Sequence, residues 1–203
     1  GWAESFDRQH AAQRERVNRR EIDTDSPTGP MLMGEVVSKV SEAFGHKAIT
    51  VTDVGQNQMF GVRYSGFTET DSCITSGGLG TMGFGLPAAI GAKIGAPKRQ
   101  VVLYVGDGGL QMTLQELGMI MEYNVGVKIV LLNNNFRGNV RQWQYLFLNA
   151  RYSATPLLNP VSVAVAATSG PKRERGPTHS TLSEPHHTPQ PTRAPYSTKP
   201  PTN

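Results

Sequence analysis

The stretch VVLYVGDGG at residues 101–109 decides the fold of this 203-residue chain. The apolar, mostly β-branched run Val101–Val105 predicts a buried strand, and Gly106–Gly109 predicts a sharp turn. Large apolar residues then recur at helical spacing and predict an amphipathic helix: Leu110, Leu114, Leu117 and Met121. The run Lys128–Leu132 predicts a second buried strand, and it ends at Asn133-Asn134.

A strand, a helix and a second strand in this order predict a right-handed crossover in a parallel sheet. The carboxyl ends of both strands then lie at one edge, so Asp107 and Asn134 are expected to converge in space. One carboxylate oxygen and one amide oxygen, with glycines that expose the backbone, suit Mg²⁺ and a phosphate. The alternative is that Gly106-Asp107-Gly108 is only a turn, as a lone motif of this kind usually is.

The arrangement resembles the thiamine diphosphate enzymes, whose signature is Gly-Asp-Gly, about two dozen residues, and then Asn-Asn. Three further stretches resemble the catalytic subunits of acetolactate synthases within that superfamily: DVGQNQM at 53–59, TSGGLGTMGFGLPAA at 75–89 and RQWQ at 141–144. The resemblance runs from about residue 29 to residue 160. It covers most of one cofactor-binding domain, and its motifs occur in the family's order.

The resemblance implies a set of Mg²⁺ ligands. Asp107 is expected to bind the ion through its side chain, Asn134 through its amide oxygen and Phe136 through its backbone carbonyl. Gly108 and Gly109 are expected to offer backbone N–H groups to the diphosphate at the start of the following helix, where the helix dipole favours an anion.

The resemblance also implies the remaining contacts to thiamine diphosphate. Gln56 and Asn57 are expected to contact the diphosphate, the Gly80 carbonyl to accept a hydrogen bond from the aminopyrimidine, and Met82 to lie beneath the bent cofactor. Three more residues complete the predicted cofactor-binding set: Gly55, Gly138 and Asn139. The sequence departs from the family at Arg137, beside the metal loop, and at Asn139, where methionine is commoner.

No catalytic residue is predicted in this chain. In the family, the glutamate that protonates the aminopyrimidine belongs to an N-terminal domain of the partner subunit. That domain is absent from this sequence, and Glu116 is interpreted as an ordinary helix residue.

The predicted fold class is α/β, a parallel sheet flanked by helices, incomplete at its C-terminal end. The predicted organisation is a helical remnant and linker (1–28), a truncated thiamine-diphosphate-binding domain (29–160) and a disordered Pro/Thr/Ser/Arg-rich tail (161–203). The tail is interpreted as a shifted reading frame or a fused end, with a natural Pro-rich tail as the alternative. Further elements are predicted as follows: a helix from Pro30 to Gly45 with the stripe Leu32, Val36, Val40 and Phe44, a strand over Ile49–Val51, a stretch Ile74–Ser76 that leads into a glycine-rich turn, and a helix over Leu86–Ile94.

Composition and charge argue against two classes of binding partner, nucleic acids and membranes. The formal net charge is +4, but residues 161–203 carry +3 of it, so the folded part is nearly neutral and no nucleic-acid partner is expected. No run has the length of a membrane span, so no membrane partner is expected either. The sole cysteine, Cys73, suits a reducing compartment, here predicted to be the cytoplasm, and is interpreted as a small buried hydrophobe.

The resemblance implies decarboxylation of pyruvate and its ligation to a 2-keto acid, in branched-chain amino acid biosynthesis, with thiamine diphosphate and Mg²⁺. The full-length family forms homodimers, binds FAD in a domain mostly absent here, and can take a regulatory subunit. One alternative is a dinucleotide site, because residues 78–83 match G-x-G-x-x-G and Asp107 follows at a ribose-binding distance. A further alternative is a non-catalytic fragment that docks a full-length subunit, and this chain by itself is expected to be inactive.

Overall fold

The computed structural model describes residues 1–22 and 31–159. Seven α-helices and four strands follow one another along these residues. The helices are α1 (Trp2–Glu21), α2 (Met33–Ala43), α3 (Gln56–Tyr64), α4 (Gly85–Gly95), α5 (Asp107–Met112), α6 (Leu117–Glu122) and α7 (Gly138–Phe147). The strands are β1 (Ile49–Thr52), β2 (Cys73–Thr75), β3 (Val101–Gly106) and β4 (Val127–Leu132). The fold is therefore α/β, as predicted.

The four strands form one parallel sheet in the order β2-β1-β3-β4. The predicted parallel arrangement of the runs Val101–Val105 and Lys128–Leu132 is confirmed, with Val101 opposite Val127 and Gly106 opposite Leu132. The chain first moves outward from β1 to β2 and then returns to the other side of β1 to form β3. This reversal creates a crevice beyond the carboxyl ends of β1 and β3, which is where open α/β sheets bind ligands.

Helices cover both faces of the sheet. Alternate residues of β3 point to opposite sides, so Leu103 packs in a cluster with α4, α5 and α6, and Tyr104 packs in a second cluster with α2 and α3. The Tyr104 hydroxyl donates a hydrogen bond to the Val37 carbonyl at 3.3 Å. Burial raises the pKa of the Tyr104 phenol. Val37 in α2 is fully buried, whereas Leu32, placed in the predicted apolar stripe, precedes the helix and is exposed.

The prediction of one continuous helix after a separate Gly-Asp-Gly turn is wrong. Asp107 is already the first residue of α5, which has six residues and is followed by a 3₁₀ turn (Leu114–Glu116) and then α6. The interruption lies at Thr113, whose φ of −135° is not helical, and its hydroxyl donates to the Gly83 carbonyl. A six-residue helix also gives a weaker dipole at Gly108 and Gly109 than the prediction assumed.

Two burial predictions are also corrected. Lys128 to Leu132 belongs to β4, which is an edge among the described residues, and only Leu132 in it is buried. Cys73 begins β2, the other edge, and its side chain is exposed, although partial burial still raises the pKa of its thiol. Residues 23–28 of the predicted linker and the predicted tail at 161–203 lie outside the described residues.

Candidate active site

A cavity opens at the carboxyl edge of the sheet, in the crevice between β1 and β3. Of the twelve predicted cofactor-binding residues, eleven line this cavity: Gly55, Gln56, Asn57, Met82, Asp107, Gly108, Gly109, Asn134, Phe136, Gly138 and Asn139. Its volume of about 70 Å³ is below the roughly 300–1,000 Å³ of typical small-molecule sites. The described residues therefore form one wall of a site rather than a complete pocket.

Gly80 is the predicted residue that does not line the cavity. It lies in the exposed loop before α4, with a φ of +62°. A β-carbon built there would lie 3.8 Å from the Val54 side chain, and Val54 does line the cavity. The structure thus places Gly80 beside the rim.

Asp107 is a buried carboxylate, 4% exposed, at the end of β3. Its Oδ1 accepts a hydrogen bond from the Gly108 N–H at 3.0 Å, and its Oδ2 accepts one from the Asn159 amide at 2.7 Å. No cationic side chain of the described residues forms an ion pair with it. Since buried charges are normally paired or bound to a metal, this carboxylate lacks the partner that a cation would supply.

Asn134 connects the end of β4 to the turn after β1. Its amide nitrogen donates to Gln56 Oε1 at 3.0 Å, and its Oδ1 accepts from the Phe136 N–H at 3.0 Å. Gln56 in turn donates to the Gln142 side chain on α7 at 3.1 Å. Three of the predicted residues are therefore held together at the cavity by side-chain amides.

Gly138 lies close to the Gln56 and Asn134 side chains. A β-carbon built on it would lie 2.3 Å from Gln56 Oε1 and 2.9 Å from the Asn134 amide nitrogen. Any larger residue would push both side chains from their positions at the cavity. Because it has no side chain, Gly138 allows α7 to begin close to the hydrogen-bonded side chains of Gln56 and Asn134.

The cavity wall carries buried acceptors without partners. The side-chain oxygens of Asn57 and Asn139 are both buried and accept no hydrogen bond, while the Asn57 nitrogen already donates to the Val54 carbonyl at 3.3 Å. A buried unpaired acceptor costs about 1–3 kcal/mol, so donors such as metal-bound water or an amino group would stabilise this wall. A cofactor with a hydrated divalent cation and an aminopyrimidine therefore fits the residues present. Only one acidic group is involved, in agreement with the absence of any cluster of three acidic, histidine or cysteine ligands in the described ranges.

Asp53 is the residue that the prediction missed. It is fully buried, and its carboxylate accepts hydrogen bonds from the N–H groups of Val54, Gly83 and Gly85 at 2.8, 3.1 and 2.8 Å. It thereby fixes the glycine-rich loop and the start of α4 against the end of β1. Its place directly after a buried strand was the available signal, since a carboxylate there needs donors.

Arg137, one of the two positions at which the sequence departs from the family, is hydrogen-bonded to the backbone of residues 154 and 155. Its guanidinium donates to the Ala154 carbonyl at 2.8 Å, and its backbone N–H donates to the Thr155 carbonyl at 2.8 Å. Glu116 lies on the 3₁₀ turn and is not among the residues lining the cavity.

A family model described as "Thiamine pyrophosphate enzyme, C-terminal TPP binding domain" matches residues 53–184. The chain belongs to the thiamine pyrophosphate enzyme family. The match continues past residue 160, the predicted end of this thiamine pyrophosphate domain. The domain boundaries of 29 and 160 stay predictions.

Curated relatives of this thiamine pyrophosphate domain are acetolactate synthases. The large subunit of Lactococcus lactis is 50% identical over 119 residues, which cover 59% of this chain and 21% of that protein. The isozyme 2 large subunit of Escherichia coli is 42% identical, with 72% and 27% covered, and the mitochondrial catalytic subunit of Saccharomyces cerevisiae is 43% identical, with 70% and 21% covered. The chain thus spans about a fifth to a quarter of their length.

A solved structure shares the fold. The thiamine diphosphate-dependent 4-hydroxybenzoylformate decarboxylase of Rhodococcus jostii RHA1 superposes with a TM-score of 0.66 at 23% identity, covering 74% of this chain and 28% of that one. The dinucleotide alternative loses its structural support, because β1 separates β2, which leads into the glycine loop, from β3, which carries Asp107.

None of the described helices has the combination of length and apolar composition that crossing a membrane requires.

Proposed function

We propose that this chain holds thiamine diphosphate and Mg²⁺ for an acetolactate synthase that decarboxylates pyruvate and joins the product to a 2-keto acid. The observation that carries the proposal is Asp107, a buried carboxylate without a cationic partner, in one cavity with Asn134 and Phe136. These are the three predicted Mg²⁺ ligands, and oxygen donors of this kind suit that ion. When bound, thiamine diphosphate supplies the carbanion chemistry, and the protein supplies orientation and charge.

The residues of this chain have distinct parts in that proposal. Asp107 balances the charge of the cation, and Asn134 and the Phe136 carbonyl complete the protein ligands. The unpartnered oxygens of Asn57 and Asn139 accept hydrogen bonds from the bound group or its water. Met82, 37% exposed and lining the cavity, supports the cofactor from below.

A second subunit is proposed to complete the site, as in the homodimers of the resembling family. Helix α7 begins at the cavity but has no buried residue, and Trp143 and Phe147 on it are 64% and 66% exposed. Apolar side chains concentrated beside a half-formed cavity favour coverage by another chain. FAD and a regulatory subunit would be contacts of the whole enzyme, and the cytoplasm stays its predicted location.

Calorimetric titration with thiamine diphosphate tests the cofactor proposal. The native chain is expected to bind it in Mg²⁺ and to lose binding in EDTA. Asp107→Ala should weaken that binding by about 100-fold or more, because the remaining ligands carry no formal charge. Asp71→Asn, at an exposed position whose positive φ asparagine tolerates, should bind like the native chain. Binding that ignores Mg²⁺, or NAD binding tighter than thiamine diphosphate binding, would contradict the proposal.

The 203-residue chain itself is expected to make no acetolactate at an enzymatic rate. Asp107 is the only acidic residue lining the cavity, and it is assigned to the cation, so no described group there can act as the general acid. Acid–base assistance typically contributes about 10²–10⁴-fold. Sustained Mg²⁺-dependent acetolactate formation by the purified chain would overturn this expectation, and Glu116 would then be the first residue to replace.

A further inference from the structure

Residues 154–159 return along the metal loop and pair with it. The Leu157 N–H donates to the Asn135 carbonyl at 2.9 Å, and the Arg137 N–H donates to the Thr155 carbonyl at 2.8 Å. Phe136 and Pro156 form the antiparallel bridge between these two bonds. We name residues 154–159 the return segment. Its backbone is thus fixed directly against the loop that carries two of the predicted metal ligands.

The return segment ends in an amide that joins three oxygens. The Asn159 side-chain nitrogen donates to Asp107 Oδ2 at 2.7 Å and to the side-chain oxygens of Asn133 and Asn135, each at 3.0 Å. Gln111, in α5, donates to the Asn159 side-chain oxygen. One half-buried amide therefore links α5, the carboxylate of Asp107 and the loop after β4.

This amide approaches Asp107 from outside the cavity. Asp107 and Asn134 line the cavity, whereas Asn133, Asn135 and Asn159 do not. The Asn133 side chain accepts a hydrogen bond from Asn159, whereas the Asn134 side chain donates one to Gln56, which lines the cavity. The Asn159 amide is therefore hydrogen-bonded to the Asp107 carboxylate without lining the cavity, an arrangement in which it can orient that carboxylate.

We propose that Asn159 is a positioning residue for the metal ligand Asp107, and that the return segment connects it to the metal loop. The proposal rests on the proposed function, because it assigns Asp107 to a divalent cation. Hydrogen bonds to ligating carboxylates fix their orientation, and losing such a partner typically weakens metal binding about 10–100-fold. The two hydrogens of the Asn159 amide are shared among the side-chain oxygens of Asp107, Asn133 and Asn135. Because one group holds all three, its removal should release Asp107 and the two loop asparagines together.

The test compares Asn159→Ala with Leu158→Ala, a neighbour that is 97% exposed, and with Asn159→Gln, which keeps the amide. Mn²⁺ binding is measured by electron paramagnetic resonance with saturating thiamine diphosphate. Asn159→Ala is expected to weaken Mn²⁺ binding about 10–100-fold, Asn159→Gln to recover part of it, and Leu158→Ala to leave it unchanged. Without cofactor, amide exchange by NMR should accelerate at Asn135 and Arg137 in Asn159→Ala and stay constant in the β3–β4 ladder.

The outcomes separate this inference from the proposed function. Native-like Mn²⁺ affinity in Asn159→Ala, or unchanged exchange at Asn135 and Arg137, would overturn the role of Asn159 while leaving thiamine diphosphate binding intact. Failure of the native chain to bind Mn²⁺ with thiamine diphosphate would instead overturn the proposed function, and the metal role of Asn159 with it. Equal losses in Asn159→Gln and Asn159→Ala would show that packing rather than the amide is responsible, which also refutes the proposal.

Discussion

Replacing Asp53 by Asn is expected to destabilise the fold although the two side chains have nearly the same shape. The carboxylate accepts three backbone N–H groups, with Oδ1 facing Val54 and Gly83 and Oδ2 facing Gly85 at 2.8 Å. In the amide, the nitrogen replaces Oδ2, so a donor meets the Gly85 N–H and one buried bond is lost. Hydrogen bonds to charged groups contribute about 1.5–3 kcal/mol each, which sets the expected loss at about 2 kcal/mol.

Urea denaturation followed by circular dichroism measures this loss. With a slope of about 2 kcal/mol/M, in the usual range for small domains, the midpoint should fall by about 1 M. Asp53→Ala removes all three acceptor contacts and should fall further, toward loss of folding in a domain of ordinary stability of about 5–15 kcal/mol. Asp71→Asn, at an exposed position with positive φ that asparagine also tolerates, is the matched control. A midpoint for Asp53→Asn equal to that of Asp71→Asn would refute the assigned role of the buried carboxylate.

Three further predictions concern the same fold. Gly109→Ala should lower the urea midpoint, because its β-carbon would lie 2.3 Å from Asp53 Oδ1. Gly91→Ala in α4, where a β-carbon would have nothing within 4 Å, should instead raise the free energy of unfolding by about 0.5–1 kcal/mol. Equal effects of the two substitutions would refute the steric argument. Since partial burial raises the pKa of the Cys73 thiol, its alkylation by iodoacetamide at pH 8 should be slower than that of glutathione. The folded state favours the protonated thiol, so the contribution of Cys73 to the free energy of unfolding should be lost as pH rises through the folded pKa. Spectrophotometric titration should show no ionisation of Tyr104 before alkaline unfolding, because burial raises its pKa, and a normal phenol titration in the folded chain would contradict its burial.

The sequence determined the elements whose causes are local. The apolar run Val101–Val105 and its counterpart before Asn133 are strands because β-branched residues pack well on a pleated surface. The crossover rule then placed Asp107 and Asn134 at one edge of the sheet, which the shared cavity confirms. The motifs that carried the family resemblance also led to the family that the comparison shows.

Tertiary structure decided what depends on residues distant in sequence. The Asp53 network joins donors 30 and 32 residues away, and the Asn159 amide reaches Asp107 across 52 residues, so neither leaves a periodic signal. The exposure of Cys73 and the partial burial of β4 follow from the positions of β2 and β4 at the edges of the described sheet. That strand order is fixed only when the layers pack. Hydrophobic spacing specifies which face of an element is apolar, but hydrogen-bond partners and edge positions arise from the assembled sheet, because they require groups from separate segments to meet.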